Sequence, residues 1–372
     1  MIPRRLPTAA PVLQLLFFIV SIGLAGITKA YSQVILTDSP IRVKPVEFYI
    51  AGVQDNRADK GPFAHLVISA GLNKTTLKNY DLQGGTLSAI SGYLSRNLKA
   101  NRSLRPAVLG IKELKLTESL SEYGSIEGRI KVNLSLGLKK DYGVQPLTSS
   151  QFTLSYRRAT NSVTPVDTYL KAVLEKSLTY FNGWMNANVS SDRRLARNVR
   201  FSFTDYTESR EGDTIYYSPL RKLKWDDFQW NNTQSSKYMA LVMPFIAYDQ
   251  EDRIDKGTIC VNIAMKAYLP KSAAWARSTG RDDYSLNHEQ RHFDIARIIT
   301  ERFKQKVLAE NLTPDTYEAF LNMQYLDSLR DLNAMQKAYD QETAHGINTA
   351  AQSEWNEKID KELKTIYLAA GK

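Results

Sequence analysis

At about Ser285 the hydrophobic period of the chain changes, and that change restricts the folds open to it. From Ser285 to Leu308, Ile295, Ile298, Ile299, Phe303 and Val307 recur every three or four residues, as on one face of a helix. A second helix is predicted to open at Thr313-Pro314-Asp315, where a capping residue precedes proline, and to run through Tyr317, Phe320, Leu321, Tyr325, Leu329 and Leu332 towards Tyr339. A last, polar helix is expected over 351–367. The segments just upstream read as strands instead: Phe201–Tyr206, Thr214–Tyr217, Lys224–Trp230, Tyr238–Tyr248 and Gly257–Leu269. In the last of these Ile259, Val261, Ile263 and Met265 alternate with Thr258, Cys260, Asn262 and Lys266.

The first half mixes both periods. Strands are predicted over 45–55, Ala107–Leu116, Gly128–Leu138 and Phe152–Tyr156. Helices are predicted over 85–99, with Leu87, Ile90, Leu94 and Leu98 on one face, and over Val166–Trp184. The fold class is therefore α+β. A mixed N-terminal domain is expected over 31–190 and a second domain over 200–372, separated by the polar stretch Asn188–Arg200. With 43% hydrophobic and 24% charged residues, the composition is that of a chain able to bury cores.

Residues 1–30 read as a secretory leader. Arg4 and Arg5 precede the apolar run Val12–Gly26, and small residues follow. The expected location is periplasmic or extracellular, with no membrane-spanning segment after the leader. Arg4, Arg5 and Lys29 supply three of the ten net positive charges, leaving +7 beyond the leader. The remaining basic residues are scattered among acids, so no nucleic-acid partner is expected. The single cysteine, Cys260, cannot close an intramolecular disulfide and is expected to be buried and inert.

Against this background one segment points to chemistry. His288 and His292 lie four apart in a predicted helix, which puts both imidazoles on one face, as two corners of a tetrahedral zinc site require. Glu289 lies beside them, where a carboxylate can act as general base towards zinc-activated water. With four histidines in the chain, this spacing arises by accident in about two such sequences per thousand. For the third ligand His345 is preferred and Glu342 is the alternative. Asp294 and Asp340 are candidates to orient the ligand histidines from outside, and Tyr339 to stabilise an oxyanion. His65, the remaining histidine, has no apparent chemical partner.

The second half resembles a bacterial family of uncharacterised domains described as predicted secreted zinc-dependent proteases. The likeness spans roughly residues 215–360 and rests on Trp225-Asp226-Asp227-Phe228, Ser272-Ala273-Ala274-Trp275 and His288-Glu289-Gln290-Arg291-His292-Phe293-Asp294. Tyr339-Asp340, Thr343 and His345-Gly346 match its downstream motif. The resemblance implies a small zincin-like fold (strands, then an active-site helix and C-terminal helices). It also implies that the strand Gly257–Leu269 binds an extended peptide along its edge. The expected function is a zinc metallopeptidase acting on protein or peptide substrates, with an envelope protein partner on the N-terminal domain. A non-catalytic envelope binding protein with a structural or vestigial zinc site is the alternative, and a peptidoglycan amidase uses similar ligands.

Overall fold

Strict alternation in the first half builds a sheet with one apolar face. In the computed structural model, which describes residues 31–69, 75–163, 165–231 and 238–370, the even-numbered residues Ile130, Val132, Leu134 and Leu136 of one strand are all fully buried. The expected leader, residues 1–30, lies outside the described residues. The strands are β1 (Ser32–Val34), β2 (Phe48–Asp55), β3 (Ala64–Ser69), β4 (Thr75–Leu82), β5 (Arg105–Leu120), β6 (Ile126–Lys140) and β7 (Gly143–Arg158). They form one sheet in the order β1-β4-β3-β5-β6-β7, with β2 parallel to β5 beside β3. Helices α1 (Thr86–Asn97) and α2 (Val166–Asn188) close its apolar face, bringing Ile90, Leu94, Leu170, Leu174 and Phe181 into the core. Leu87, expected on the buried face of α1, is 44% exposed, and Tyr93 takes the inward place.

After residues 189–197 a second sheet begins with β8 (Asn198–Asp205) and β9 (Thr214–Tyr216). A short β10 (Ala240–Leu241) follows, then β11 (Phe245–Asp255), β12 (Thr258–Pro270) and β13 (Trp275–Ala276). The β11–β12 hairpin turns at Lys256 and Gly257, both with positive φ, the pair of left-handed residues that a tight hairpin needs. Strand β12 pairs with β11 on one side and with β8 and then β9 on the other. Neither edge of β12 is free, so the expected docking of a peptide along it is corrected. Two further strand predictions change. Lys224–Trp230 forms a single 3-10 turn at Trp225–Asp227, because the Asp227 carboxylate accepts from the Lys224 N–H at 2.8 Å and from Arg221. Residues 238–248 break into β10 and β11, which belong to different sheets.

Helix α3 (Asp283–Ala309) crosses the centre of this half, flanked by α4 (Tyr317–Thr343) and α5 (Thr349–Ala370). Its two apolar stripes face different partners. Ile295, Ile298 and Ile299 meet Leu332, Tyr339, Trp355 and Ile359 of α4 and α5, while Phe303 and Val307 meet Ile259, Val261 and Ile263 of β12. Helix α4 starts at Tyr317 and not at Pro314, after a turn in which Thr316 Oγ1 accepts from the Thr313 N–H. Cys260 is buried, and no helix among the described residues is long and apolar enough to cross a membrane.

Candidate metal centre

The site begins with a cap. Asp282 accepts from the Ser285 N–H at 2.7 Å, so α3 starts about one and a half turns before the chemistry and holds His288, Glu289 and His292 on regular helix. The three residues are 5–7% exposed. Both imidazoles turn Nε2 towards one atom, Asp340 Oδ1 of α4, at 3.4 Å from His288 and 3.0 Å from His292. The two ring nitrogens and the carboxylate oxygen all lie within 4.8 Å of one another. Asp340, expected as an outer support, thus stands in the candidate triangle itself.

The opposite nitrogens are also occupied. His288 Nδ1 is 2.8 Å from Gln352 Oε1, and His292 Nδ1 meets Gln336 Oε1. The other end of each amide fixes its orientation: Gln336 Nε2 donates to the His292 carbonyl at 2.9 Å, and Gln352 Nε2 donates to the Tyr339 hydroxyl at 2.6 Å. Tyr339 stacks on His288 with centroids 4.7 Å apart, and its hydroxyl donates to the His288 carbonyl. That hydroxyl is therefore committed to the interior, which corrects its expected role at an oxyanion.

Electrostatics follow from this packing. Burial pushes the Glu289 carboxyl above its ordinary value, only partly opposed by His292, His288 and the Val242 N–H that donates to it. For Asp340 burial also acts upwards, but hydrogen bonds to His288 and His292 outweigh it and hold the carboxyl well below the usual range. His292 is the counterpart: desolvation lowers its proton affinity, and the stronger pull of Asp340 and Glu289 raises it overall.

His345 comes close without joining the triangle. Its Nδ1 lies 3.4 Å from Asp340 Oδ1, but its ring sits against Tyr238, with centroids 4.3 Å apart. The reason is the end of α4. Ala344, His345 and Gly346 all have positive φ, reversing the chain within three residues. Two non-glycine residues in that conformation cost on the order of 1–3 kcal/mol each, strain that persists only where surroundings impose it. At Gly346 a Cβ would meet His288 Nδ1 at 3.4 Å in addition to the strained φ. The other expected groups are engaged elsewhere. Glu342 accepts from Trp355 Nε1 at 2.7 Å. Asp294, fully buried, accepts from Tyr217, Gln290 and Arg291 and touches no imidazole. His65 pairs with Asn79 across β3 and β4, away from the site.

A cavity of about 520 Å³ opens over this centre, between Leu241 and Val242 on one side and Tyr284, His345 and Ile347 on the other. Gln336 and Gln352 were not foreseen, since a glutamine in a helix carries no spacing signal. Val242 was missed because the break between β10 and β11 depends on tertiary pairing.

Residues 247–346 match a bacterial protein family of unknown function (DUF922). The matched stretch contains α3, Asp340 and His345 and ends before Gln352. No curated protein matches the chain. Among solved structures, protein XCC0632 from Xanthomonas campestris (family DUF330) shares 12% identity over 41% of this chain and 90% of its own, with a TM-score of 0.25. An uncharacterised protein shares 7% identity over 43% of this chain and all of its own, with a TM-score of 0.20. At those scores neither likeness bears on fold or function.

Proposed function

We propose that this chain is a zinc-dependent hydrolase of peptide bonds, with His288, His292 and Asp340 as ligands and Glu289 as general base. The observation that carries the reading is the convergence of two imidazole nitrogens and one carboxylate oxygen in a mostly buried place. With each Nδ1 set against an amide oxygen, each Nε2 turns its lone pair inward, and three electron-pair donors so close repel unless a cation or a proton stands among them. Tetrahedral bonds of roughly 2.0–2.1 Å separate neighbouring ligand atoms by about 3.3 Å. The two distances to Asp340, 3.4 and 3.0 Å, bracket that value. Structural zinc sites fill four positions with protein atoms, whereas this set of three opens on a cavity, as catalytic sites do.

Zinc, when bound, supplies Lewis acidity that brings the ionisation of water close to neutral pH. Glu289 takes the proton of the attacking water and returns it to the departing amine, a shuttle suited to a carboxyl whose proton affinity burial has raised. The Val242 N–H aims that carboxylate. His345, 42% exposed at the cavity mouth, is placed to donate to the oxygen that gains charge.

The substrate class rests on β10. The Arg277 N–H donates to the Met239 carbonyl at 2.8 Å, so the alternation of antiparallel pairing turns the backbone of Ala240 and Val242 away from β13. The Val242 N–H indeed goes to Glu289. Ala240, two residues earlier, presents its N–H and C=O along the same edge, which suits an extended polypeptide added as a strand. The leader-like composition of residues 1–30 supports a reaction in the envelope or outside the cell.

The test is zinc content and hydrolysis of labelled casein by the full chain and by Glu289→Gln. The expected result is equal zinc in both proteins and hydrolysis by the first alone. Metal-free protein in both cases, or unchanged hydrolysis by the variant, overturns the proposal.

A further inference from the structure

The two histidines of the triangle are held from behind by amides, and on both the amide is demanded by geometry. Gln336 accepts from His292 Nδ1 through Oε1 and donates to the His292 carbonyl through Nε2. Gln352 accepts from His288 Nδ1 through Oε1, while its Nε2 reaches the Tyr339 hydroxyl and, at 3.0 Å, Asn356 Oδ1. Asn356 Oδ1 already accepts from Arg291 Nε and Asn287 Nδ2. A carboxylate in either place turns a second acceptor oxygen towards the His292 carbonyl or Asn356 Oδ1. Only an amide offers an acceptor and a donor at the two ends of one planar group.

We propose that Gln336 and Gln352 are the positioning residues of the metal centre. They hold Nδ1 of both rings against an amide oxygen, so that both Nε2 atoms point at one place before any ion arrives. This rests on the metal reading above. Gln336 lies one helical turn before Asp340, so α4 supplies both the third ligand and the brace for His292. Gln352, 1% exposed near the start of α5, braces His288 from a separate helix. The two braces carry no charge, so Asp340 remains the single anionic ligand, and the ion keeps more of its positive charge than in sites where a carboxylate backs the histidine.

The experiment uses the full chain with ¹⁵N-labelled histidine and the variants Gln352→Leu and Gln336→Leu, which keep the approximate volume and remove both hydrogen-bonding ends. Zinc titration should show a 10- to 100-fold weaker affinity in each variant, the usual consequence of removing an outer partner of a ligand histidine. In the metal-free protein, nitrogen NMR should show His288 protonated on Nδ1, and Gln352→Leu should move that proton to Nε2. A packing role alone does not move the proton. Tautomer and affinity both unchanged in folded Gln352→Leu overturn the proposal while leaving the metal reading intact. Zinc binding absent from the unaltered chain, with His288 still protonated on Nδ1, removes the metal reading instead. If a leucine variant fails to fold, Gln352→Met and Gln336→Met serve in its place with the same readouts.

Discussion

Two carboxylates, Glu118 in the first sheet and Asp340 beside α3, sit among polar partners, and their surroundings are opposites. Glu118 meets donors at both oxygens. Its oxygens accept from the Val67 N–H at 2.9 Å, the Tyr156 hydroxyl at 2.7 Å and Arg158 at 2.6 and 2.9 Å. Arg158 also donates to the Val67 carbonyl, so the pair completes strand β3 where it parts from β5. Asp340 faces three imidazole nitrogens, each of which can either donate to it or present a lone pair. The first cluster is closed, with nothing left for a ligand to supply. The second is closed by a proton or by a metal ion, and that exchangeable positive charge separates a structural ion pair from a candidate binding centre.

The comparison breaks most sharply if the same carboxylate-to-amide change acts alike in both places. Glu118→Gln leaves Arg158 with a buried, uncompensated charge, since the two side chains are 0% and 9% exposed. Chemical denaturation should show a loss of about 3–5 kcal/mol, the range for breaking a buried pair from one side. Asp340→Asn should cost the metal-free protein less than Glu118→Gln does, because the Asp340 side chain is 30% exposed and solvent screens its charge. Its zinc affinity, followed by competition with a chelating dye, should fall by about 100-fold or more as the one anionic ligand is lost.

A pH series sharpens the closed side. The Arg57 guanidinium beside Asp55 holds that carboxyl at about 2, below its ordinary 3.8. A depressed carboxyl stabilises the fold above its unfolded pKa and loses that contribution as pH falls towards its folded value. The contribution is about 2 kcal/mol, discounted little because the side chain is 14% exposed. Unfolding free energy should therefore decline between about pH 4 and pH 2, and Asp55→Asn should flatten that decline. The smallest effect concerns His345. Since its ring lies outside the triangle, His345→Ala should keep zinc affinity within about threefold while lowering the hydrolysis rate about tenfold or more. Loss of the metal in this variant would make His345 a ligand.

What was legible in the sequence follows from how local each feature is. The period of α3 shows in its own residues, and so does the placing of His288, Glu289 and His292 on one face. The α+β class follows from the same periodicities, and the structure shows it. That Asp340 converges with the two imidazoles, and the expected His345 and Glu342 do not, was not legible. It depends on the phase at which α4 meets α3 and on three consecutive left-handed residues, two of them, Ala344 and His345, types that seldom adopt that conformation. The pairing of β12 on both sides is equally hidden, because β8 and β9 reach it from 198–205 and 214–216. Gln336 and Gln352 gain meaning only once α4 and α5 stand behind the histidines.

The most direct measurement is anomalous diffraction at the zinc edge from crystals of the full chain grown with zinc. One peak per chain is expected, about 2.0–2.1 Å from Nε2 of His288 and His292 and about 2.0–2.2 Å from Asp340 Oδ1. No peak, or a peak whose ligands leave out Asp340, contradicts the proposed ligand set.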